Sequence, residues 1–477
     1  MIYDICIIGA GAVGSMLARE LSKYHLSICL LDKENDASCG ATKANSAIVH
    51  GGFDPEPNTL KAKLNVRGIS LLEKAAKELN VPYVKNGSLV VAFGDKETPE
   101  LFKLMERGKQ NGVFDLEFLN GDAARNIEPH LSKSVTSAML SKNAAIISPY
   151  ELAIAAVGNA MDNGVVFLRN FEVSDIKLKE DIFTVTSITN ESVFGRYVIN
   201  CAGGYSDKIA EMIGEKFFDI IPRAGEYMLL DKAEGARIKH TIFRLPDQNG
   251  KGILVTPTVD GNLLTGPTAS KVDSYDSTET TKKGLDLVRN SALKTIPSID
   301  FSKVITSFCG VRASTSGGDF IIQPSDKVKN FIHCAGIDSP GLTSCAAIAE
   351  YVIDILSTMM PKMNLKDDWN PIREDTHAFR KMSDEDKSKF IKSHPTYGHI
   401  VCRCELISEG EIIDALTRNP AALDFDGVKR RTRSGMGRCH GGFCTPHVMH
   451  LIADAQKITM EKVTKKGLGS EILKEKV

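Results

Sequence analysis

Runs of apolar residues alternate with glycine-rich turns in a repeating order along this chain. IYDICIIGAGAVGSMLARELSKYHLSICLLDKE (2–34) opens on an apolar run, turns at glycines, continues with apolar positions at helical spacing, and closes on a second apolar run ending in an acid. That order predicts a strand, a turn, an amphipathic helix and a second strand, a βαβ unit. TVTSITNESVFGRYVINCAGGYSDKIAEMIG (184–214) shows period-two alternation, then the apolar run YVIN, a turn at Cys201-Ala202-Gly203-Gly204 and a helix. IPRAGEYMLLD (221–231) and GILVTPTVDGNLLTGPTA (252–269) are strand-rich and broken by turn residues, the pattern of an antiparallel sheet. FIHCAGIDSPGLTSCAAIAEYVIDIL (331–356) predicts a strand, a loop carrying Gly336, Pro340 and Gly341, and a helix from near Thr343. After residue 357 the periodicity fades into a charged, proline-punctuated stretch, read as a linker with some helix.

Composition narrows this little: 477 residues favour two or three domains, and 42% hydrophobic with 25% charged residues is ordinary for a folded protein. A net charge of -1 excludes charge-driven capture of nucleic acid or of an anionic membrane. No basic, apolar and small-residue series follows Met1, and no window reaches the roughly 18 to 20 uninterrupted apolar residues of a spanning helix. The expectation is a cytoplasmic protein that meets a membrane only through a partner. Cysteine is more telling. Seven of the eleven (Cys6, Cys29, Cys39, Cys201, Cys309, Cys334, Cys345) are scattered, as reduced thiols of a reducing compartment would be. The other four, Cys402, Cys404, Cys439 and Cys444, cluster as C-x-C, thirty-four residues, then C-x4-C.

Gly9, Gly11 and Gly14 form G-x-G-x-x-G between the first strand and its helix. The first glycine permits the tight turn, the second lets a pyrophosphate approach the backbone, and the third lets helix and strand pack closely. The helix N-terminus offers unpaired N–H groups to phosphate. Asp32, eighteen residues beyond Gly14, stands where a carboxylate binds ribose hydroxyls. This is a dinucleotide site, and a fingerprint so near the start of the chain favours FAD. For the four clustered cysteines the residues leave two readings open. Four thiolates suit tetrahedral zinc, although a one-residue spacer is awkward for a zinc knuckle, and they equally suit an iron–sulfur cluster.

CGATKANSAIVHGGF (39–53), with Asn45, Ser46 and His50, resembles the segment that runs beside the flavin in the D-amino-acid-oxidase-like superfamily. It is closest to the branch holding FAD-dependent glycerol-3-phosphate dehydrogenases and L-2-hydroxyglutarate oxidases. The resemblance implies an α/β fold: a Rossmann-like FAD-binding domain with an inserted antiparallel-sheet substrate domain. It gives cofactor contacts to Thr42, Asn45, Ser46, Ala202, Gly203, Gly336, Gly341, Leu342 and Thr343. The helix near Thr343 would then favour negative charge at the flavin's N1–C2=O edge. Arg312, in SFCGVRAST (307–315), matches the family's anion-holding arginine, whose rigid fork of donors suits carboxylate or phosphate. Arg223, Gly225, Glu226 and Tyr227 resemble the R-G-E-Y of the hydroxyglutarate branch, with Tyr227 facing substrate. His50 is the base to test first, since imidazole titrates near neutral pH.

VKRRTRSGMGRCHGGFC (428–444) resembles the bacterioferritin-associated ferredoxin-like domain, which implies a 2Fe-2S cluster on the four cysteines in a small helical C-terminal domain. Lys429, Arg430, Arg431, Arg433 and Arg438 would compensate thiolate charge or dock an acidic partner. The division expected is an FAD oxidoreductase over 1–357, a linker over 358–397, the cluster domain over 398–460 and a tail over 461–477. Within the first, FAD-binding segments fall at about 1–80, 145–215 and 305–357, and the substrate domain at about 81–144 and 216–304. The whole arrangement resembles the catalytic subunit of anaerobic glycerol-3-phosphate dehydrogenases. It implies a small anionic hydroxy substrate, and a redox protein or second flavoprotein subunit as electron acceptor. In two places the chain departs from those enzymes. Ala44 replaces an arginine beside the asparagine, and Gly336-Ile337-Asp338 replaces a G-G-K loop.

Overall fold

The computed structural model describes residues 1–245, 252–360 and 362–474. Residues 246–251 of the expected substrate domain, 361 of the linker and 475–477 of the tail lie outside the described residues.

The first sheet has eight strands among the described residues. Its parallel centre runs Val166–Leu168, Ile28–Leu31, Ile2–Ile8, Ser192–Asn200, Phe331–Ala335. Ile28–Leu31 and Phe331–Ala335 are buried at every position, as strands covered on both faces must be. Ile182–Ser187 and Val173–Lys179 add an antiparallel flap to the start of Ser192–Asn200, whose second half pairs with Phe331–Ala335 instead. Helix Ala12–Leu21 packs between helices Pro149–Asp162 and Gly341–Met359. The last of these has the length and apolar composition to cross a membrane. Packing accounts for that composition: Thr343–Ala349, Val352 and Leu356 are buried in the core, and a Cβ at Gly68 of helix Leu60–Glu78 would lie 2.3 Å from Thr343 O. The helix starts at Gly341, two residues before the expected point.

The second sheet has nine strands among the described residues. Its order is Ser270–Lys271, Ile220–Leu230, Leu263–Gly266, Leu254–Pro257, Thr241–Arg244, Ser88–Ala92, Ser137–Ser141, Leu116–Asn120, with Val304–Thr315 also paired to Ile220–Leu230. Every pairing is antiparallel except Thr241–Arg244 beside Ser88–Ala92, the seam where the two inserted segments meet. Val304–Thr315 belongs to this sheet although the sequence division placed it with the FAD-binding segments. A strand's residues report that it is a strand, not which partner it takes.

Residues 362–397 are strapped down rather than loose. Trp369 Nε1 donates to Ser22 Oγ (3.0 Å), Arg373 N donates to Glu78 O (2.9 Å), and His377 Nε2 lies 2.7 Å from Glu151. Beyond them the hairpin Ile400–Cys402/Ile407–Ser408 and helices Glu409–Thr417, Phe425–Thr432 and Thr445–Gln456 enclose a core of their own around Val401, Ile407, Ile412, Val428, Val448 and Ile452.

Candidate functional site

Gly9 has φ +105°, and a Cβ there would sit 2.4 Å from Cys201 O; one at Gly14 would sit 1.9 Å from Gly9 O. These two positions let the first strand, its helix and the Cys201–Gly204 turn meet backbone to backbone. Gly11, at the helix N-cap, offers no side-chain cap, and Ala12 N–H donates instead to Thr42 Oγ1 (2.9 Å). A Cβ at Gly11 would meet only that hydroxyl, at 3.3 Å, and one at Gly203 (φ +56°) would meet nothing within 4 Å. Asp32, just past Ile28–Leu31, accepts from Ala10 N (2.6 Å) and Glu34 N (2.9 Å), and burial pushes its carboxyl up to about 6. Ala202 N donates to Asn200 Oδ1 (3.2 Å), which shapes the turn. The buried Ser38 hydroxyl, which sequence reasoning missed in its small-residue run, has no hydrogen-bond partner among the described residues. A helix end capped only by the Thr42 hydroxyl, the open Gly203 and an orphaned hydroxyl fit a bound dinucleotide. Gly14→Ala is expected to weaken FAD binding by tenfold or more, on the order of 1.4 kcal/mol, read as flavin fluorescence quenching on titration of the apoprotein.

The segment from Thr42 to His50 leads from this cradle to a polar cluster. Asn45 Nδ2 donates to Ala41 O (3.2 Å) and Thr42 O (2.9 Å), and its Oδ1 accepts from Ala47 N (2.8 Å), fixing a bend at which Ala47 takes φ +60°. The bend delivers Ser46 Oγ to 3.1 Å from Tyr227 OH. Tyr227 is stacked on Phe308 (4.8 Å, 14°), and its burial raises the phenol's pKa, which keeps it a donor. Arg312, on the neighbouring strand, lies close enough to Tyr227 to oppose the rise of its phenol, and donates from Nη2 to Thr268 O (3.0 Å). Gly225 makes room for it, since a Cβ there would lie 2.8 Å from Nη2. Among the described residues no carboxylate pairs with Arg312, so its remaining donors can serve an anion. Glu226 points to the other face, accepting from Thr281 N (2.5 Å) and Thr281 Oγ1 (3.1 Å) at the start of helix Lys282–Thr295. The R-G-E-Y-like stretch is therefore part site and part scaffold.

His50 is held by its backbone, N–H to Thr343 Oγ1 (2.9 Å) and carbonyl from Asn65 Nδ2 (3.1 Å). Its Nε2 lies 3.3 Å from Ser339 Oγ, and its ring centroid lies 5.9 Å from that of Phe243. It borders a small cavity with Phe53, Asn65 and Ser339. Gly336 (φ +65°) and the Gly341 N–H to Asp338 O bond (2.6 Å) shape the loop before the helix, and Leu342 packs on the core. Where the G-G-K loop is absent, Asp338 pairs with Lys61 (2.6 Å), brought in from helix Leu60–Glu78. Lys43 is exposed. Ser339, Asn65, Phe243 and Lys61 carried no recognisable spacing in the sequence.

The four clustered thiols converge. Cys404 Sγ lies 3.5 Å from Cys439 Sγ, and the Cys402 thiol neighbours that of Cys444, the N-cap of helix Thr445–Gln456. Gly437 lets the two loops cross, since a Cβ there would lie 2.3 Å from Cys404 Cβ. The Cys444 thiol and then the Gly435, Glu405 and Cys404 amides bring Cys402 down to about 5, against the push of its burial. Gly441 and Phe443 amides face Cys439 in the same way. Burial alone pushes Cys6 up to about 12, so one residue type meets opposite environments in one chain. Four reduced sulfurs in two close pairs, ringed by N–H donors, fit a four-thiolate iron–sulfur cluster.

The basic run serves another end than the one expected. Arg431 grips Asp36 with both Nη atoms (2.7 and 2.8 Å), and Arg430 adds a third bond (2.7 Å). Arg433 reaches Asp260 (2.6 Å), Asn262 (3.1 Å) and Glu405 (2.9 Å). Asp36 lies on the loop between Asp32 and Thr42, so these guanidinia clasp the cluster domain to the nucleotide loop and to the second sheet instead of facing solvent. Arg438, 62% exposed, adds a looser ion pair on the same side, 3.9 Å from Asp231.

Residues 4–355 match the FAD dependent oxidoreductase family, and residues 400–454 match the BFD-like [2Fe-2S] binding domain. The chain is 45% identical over 473 residues to a glycerol 3-phosphate dehydrogenase of Caloramator mitchellensis, covering 99% of this chain and 98% of that protein. It is 36% identical over 285 residues to the mitochondrial L-2-hydroxyglutarate dehydrogenase of Nematostella vectensis, covering 56% and 62%. Among solved structures it resembles the dithionite-reduced, FAD-bound L-alpha-glycerophosphate oxidase of Mycoplasma pneumoniae, with TM-score 0.75 and 29% identity over 78% of this chain and 98% of that one.

Proposed function

Because the chain belongs to the FAD dependent oxidoreductase family and carries a BFD-like [2Fe-2S] binding domain, we propose that it oxidises glycerol 3-phosphate to dihydroxyacetone phosphate and passes the electrons to another protein. The observation that carries the substrate is Arg312, a half-buried guanidinium with no carboxylate partner among the described residues, set beside Tyr227 and Ser46. The similarity to a glycerol 3-phosphate dehydrogenase along both parts of the chain supports the same choice. The hydroxyglutarate reading leaned on the R-G-E-Y-like stretch, and Glu226 of that stretch caps a helix away from Arg312.

When bound, FAD supplies the acceptor for a hydride from the carbinol carbon, and a 2Fe-2S cluster supplies a one-electron exit. The first turn of helix Ala12–Leu21 would hold the pyrophosphate with Thr42, Gly11 and the Ala202–Gly203 turn, while Gly9 and Gly14 keep strand, helix and turn close enough to form that cradle. Asp32 takes the ribose hydroxyls on its remaining lone pairs. Asn45 and Gly336 shape two loops that would hold the flavin, and Gly341, Leu342 and Thr343 would offer a helix N-terminus that favours negative charge on it. Arg312 grips the phosphate, while Tyr227 and Ser46 orient the substrate. His50 Nε2 takes the hydroxyl proton, with Ser339 Oγ fixing the ring. Cys402, Cys404, Cys439 and Cys444 hold the cluster. Cys404 is exposed, and so are Leu406 (69%) and Phe443 (86%), which suits a redox partner or second flavoprotein subunit docking over that edge. The protein works in the cytoplasm and reaches a membrane through that partner.

Anaerobic mixing of the flavin-loaded protein with glycerol 3-phosphate, L-2-hydroxyglutarate and a panel of amino acids tests the assignment. Glycerol 3-phosphate is expected to bleach the flavin at least about a hundredfold faster than the others, since a site built for one anion rejects its mismatches through unpaired polar groups. Faster bleaching by hydroxyglutarate would move the assignment to that acid. Bleaching by none of them would make the chain an electron conduit without a substrate.

A further inference from the structure

Three side chains of the cluster domain that take no part in holding the thiols meet at one point. His399 Nδ1 lies 2.7 Å from Glu409 Oε2, and His447 Nε2 lies 2.9 Å from the same oxygen. The two rings stand 5.0 Å apart at 87°, and the three donor atoms all lie within 4.8 Å of one another. Short-range structure fixes the backbone that carries them. Glu409 N donates to His399 O (2.8 Å), and Glu409 opens a helix whose capping box joins Ser408 to Glu411. His447 sits in the first turn of helix Thr445–Gln456. With side chains 57% (His399), 21% (Glu409) and 41% (His447) exposed, all three can be reached by a dissolved ion.

We propose that His399, Glu409 and His447 bind a divalent first-row transition metal ion, zinc fitting best, at a site separate from the thiols. With no ion, both imidazoles must present an N–H to a single carboxylate oxygen. With an ion, each offers a lone pair and the carboxylate supplies charge, a donor set that suits zinc and leaves one position open for water. Zinc at about 2.0 to 2.2 Å from each donor places the donors about 3.3 Å apart, so small side-chain rotations complete the site. The site also has a purpose in the fold. His399 stands three residues before Cys402 and His447 three after Cys444. An ion there bolts together the strand and the helix that carry the two buried cluster ligands, and slows loss of the cluster.

The test uses the flavin- and cluster-loaded protein, so that the four cysteines are occupied, after dialysis against a mild chelator. Zinc titration followed by calorimetry, with elemental analysis of the dialysed product, is expected to show a single saturable equivalent. His447→Ala and Glu409→Gln are each expected to weaken it about tenfold or more with iron and flavin content unchanged. Zinc should slow thermal bleaching of the cluster's visible band in the wild type and not in His447→Ala. Absence of a saturable equivalent in the wild type, or zinc affinity equal in the wild type and both variants, would overturn the proposal.

Discussion

Arg312→Ala is expected to lower kcat/KM for glycerol 3-phosphate by about two to three powers of ten, the loss of about 3 to 4 kcal/mol of charge-assisted binding to the phosphate. The guanidinium is anchored on Thr268 O, and Gly225 leaves the space it fills. The substitution removes the clamp without opening the core, so FAD content and melting temperature should stay close to wild type. Arg312→Lys keeps the charge and loses the fork, so an intermediate rate is expected. Steady-state kinetics with an artificial acceptor give both values. A change of less than about threefold for the alanine variant would remove Arg312 from the substrate site, since a buried charged hydrogen bond is worth more than that.

Asp36→Asn should separate the two halves of the molecule functionally. The variant keeps the shape of the side chain and removes the charge that two buried guanidinia share. Breaking such a buried pair costs about 3 to 5 kcal/mol. Substrate should still bleach the flavin, while reduction of the cluster slows and the 425–432 helix gains protease or hydrogen-exchange sensitivity. The pH dependence has a definite sign. Burial alone would raise the Asp36 carboxyl, but Arg431 and then Arg430 outweigh it and hold the group well below the ordinary carboxylate range. A lowered folded value contributes stability that is complete above the unfolded value of about 3.9 and is lost only as pH falls below it. The clasp should survive mild acid, and the gap between wild type and Asp36→Asn, measured by urea unfolding, should be constant from pH 8 to about 5 and narrow below about pH 4.

How legible these features were depended on the range over which each is encoded. The βαβ unit and Gly9, Gly11 and Gly14 could be read because turn, helix and strand are settled within a few residues. The four cysteines stood out through the one-residue spacer and the G-M-G-x-C lead. The basic run before Cys439 was visible as well, but its target was not. Arg431 and Asp36 are 395 residues apart, and no periodicity links them. For the same reason the pairing of Val304–Thr315 with Ile220–Leu230 could not be read, and Lys61 went unnoticed as the partner of Asp338. Glu226 shows the opposite limit. A motif identifies neighbours in sequence, yet in a strand alternate residues face opposite ways, and Glu226 and Tyr227 have unrelated tasks.

In the proposed reaction electrons enter from a phosphorylated alcohol at the flavin and leave through the four thiols. Anaerobic stopped-flow mixing of the flavin- and cluster-loaded protein with glycerol 3-phosphate, followed at the flavin and cluster bands with freeze-quench electron paramagnetic resonance, tests it directly for the wild type and Cys439→Ser. The wild type should lose flavin absorbance first and then gain a reduced-cluster signal, and Cys439→Ser should show the first phase without the second. A wild type whose cluster stays oxidised while the flavin is fully reduced would rule out the four thiols as the electron exit.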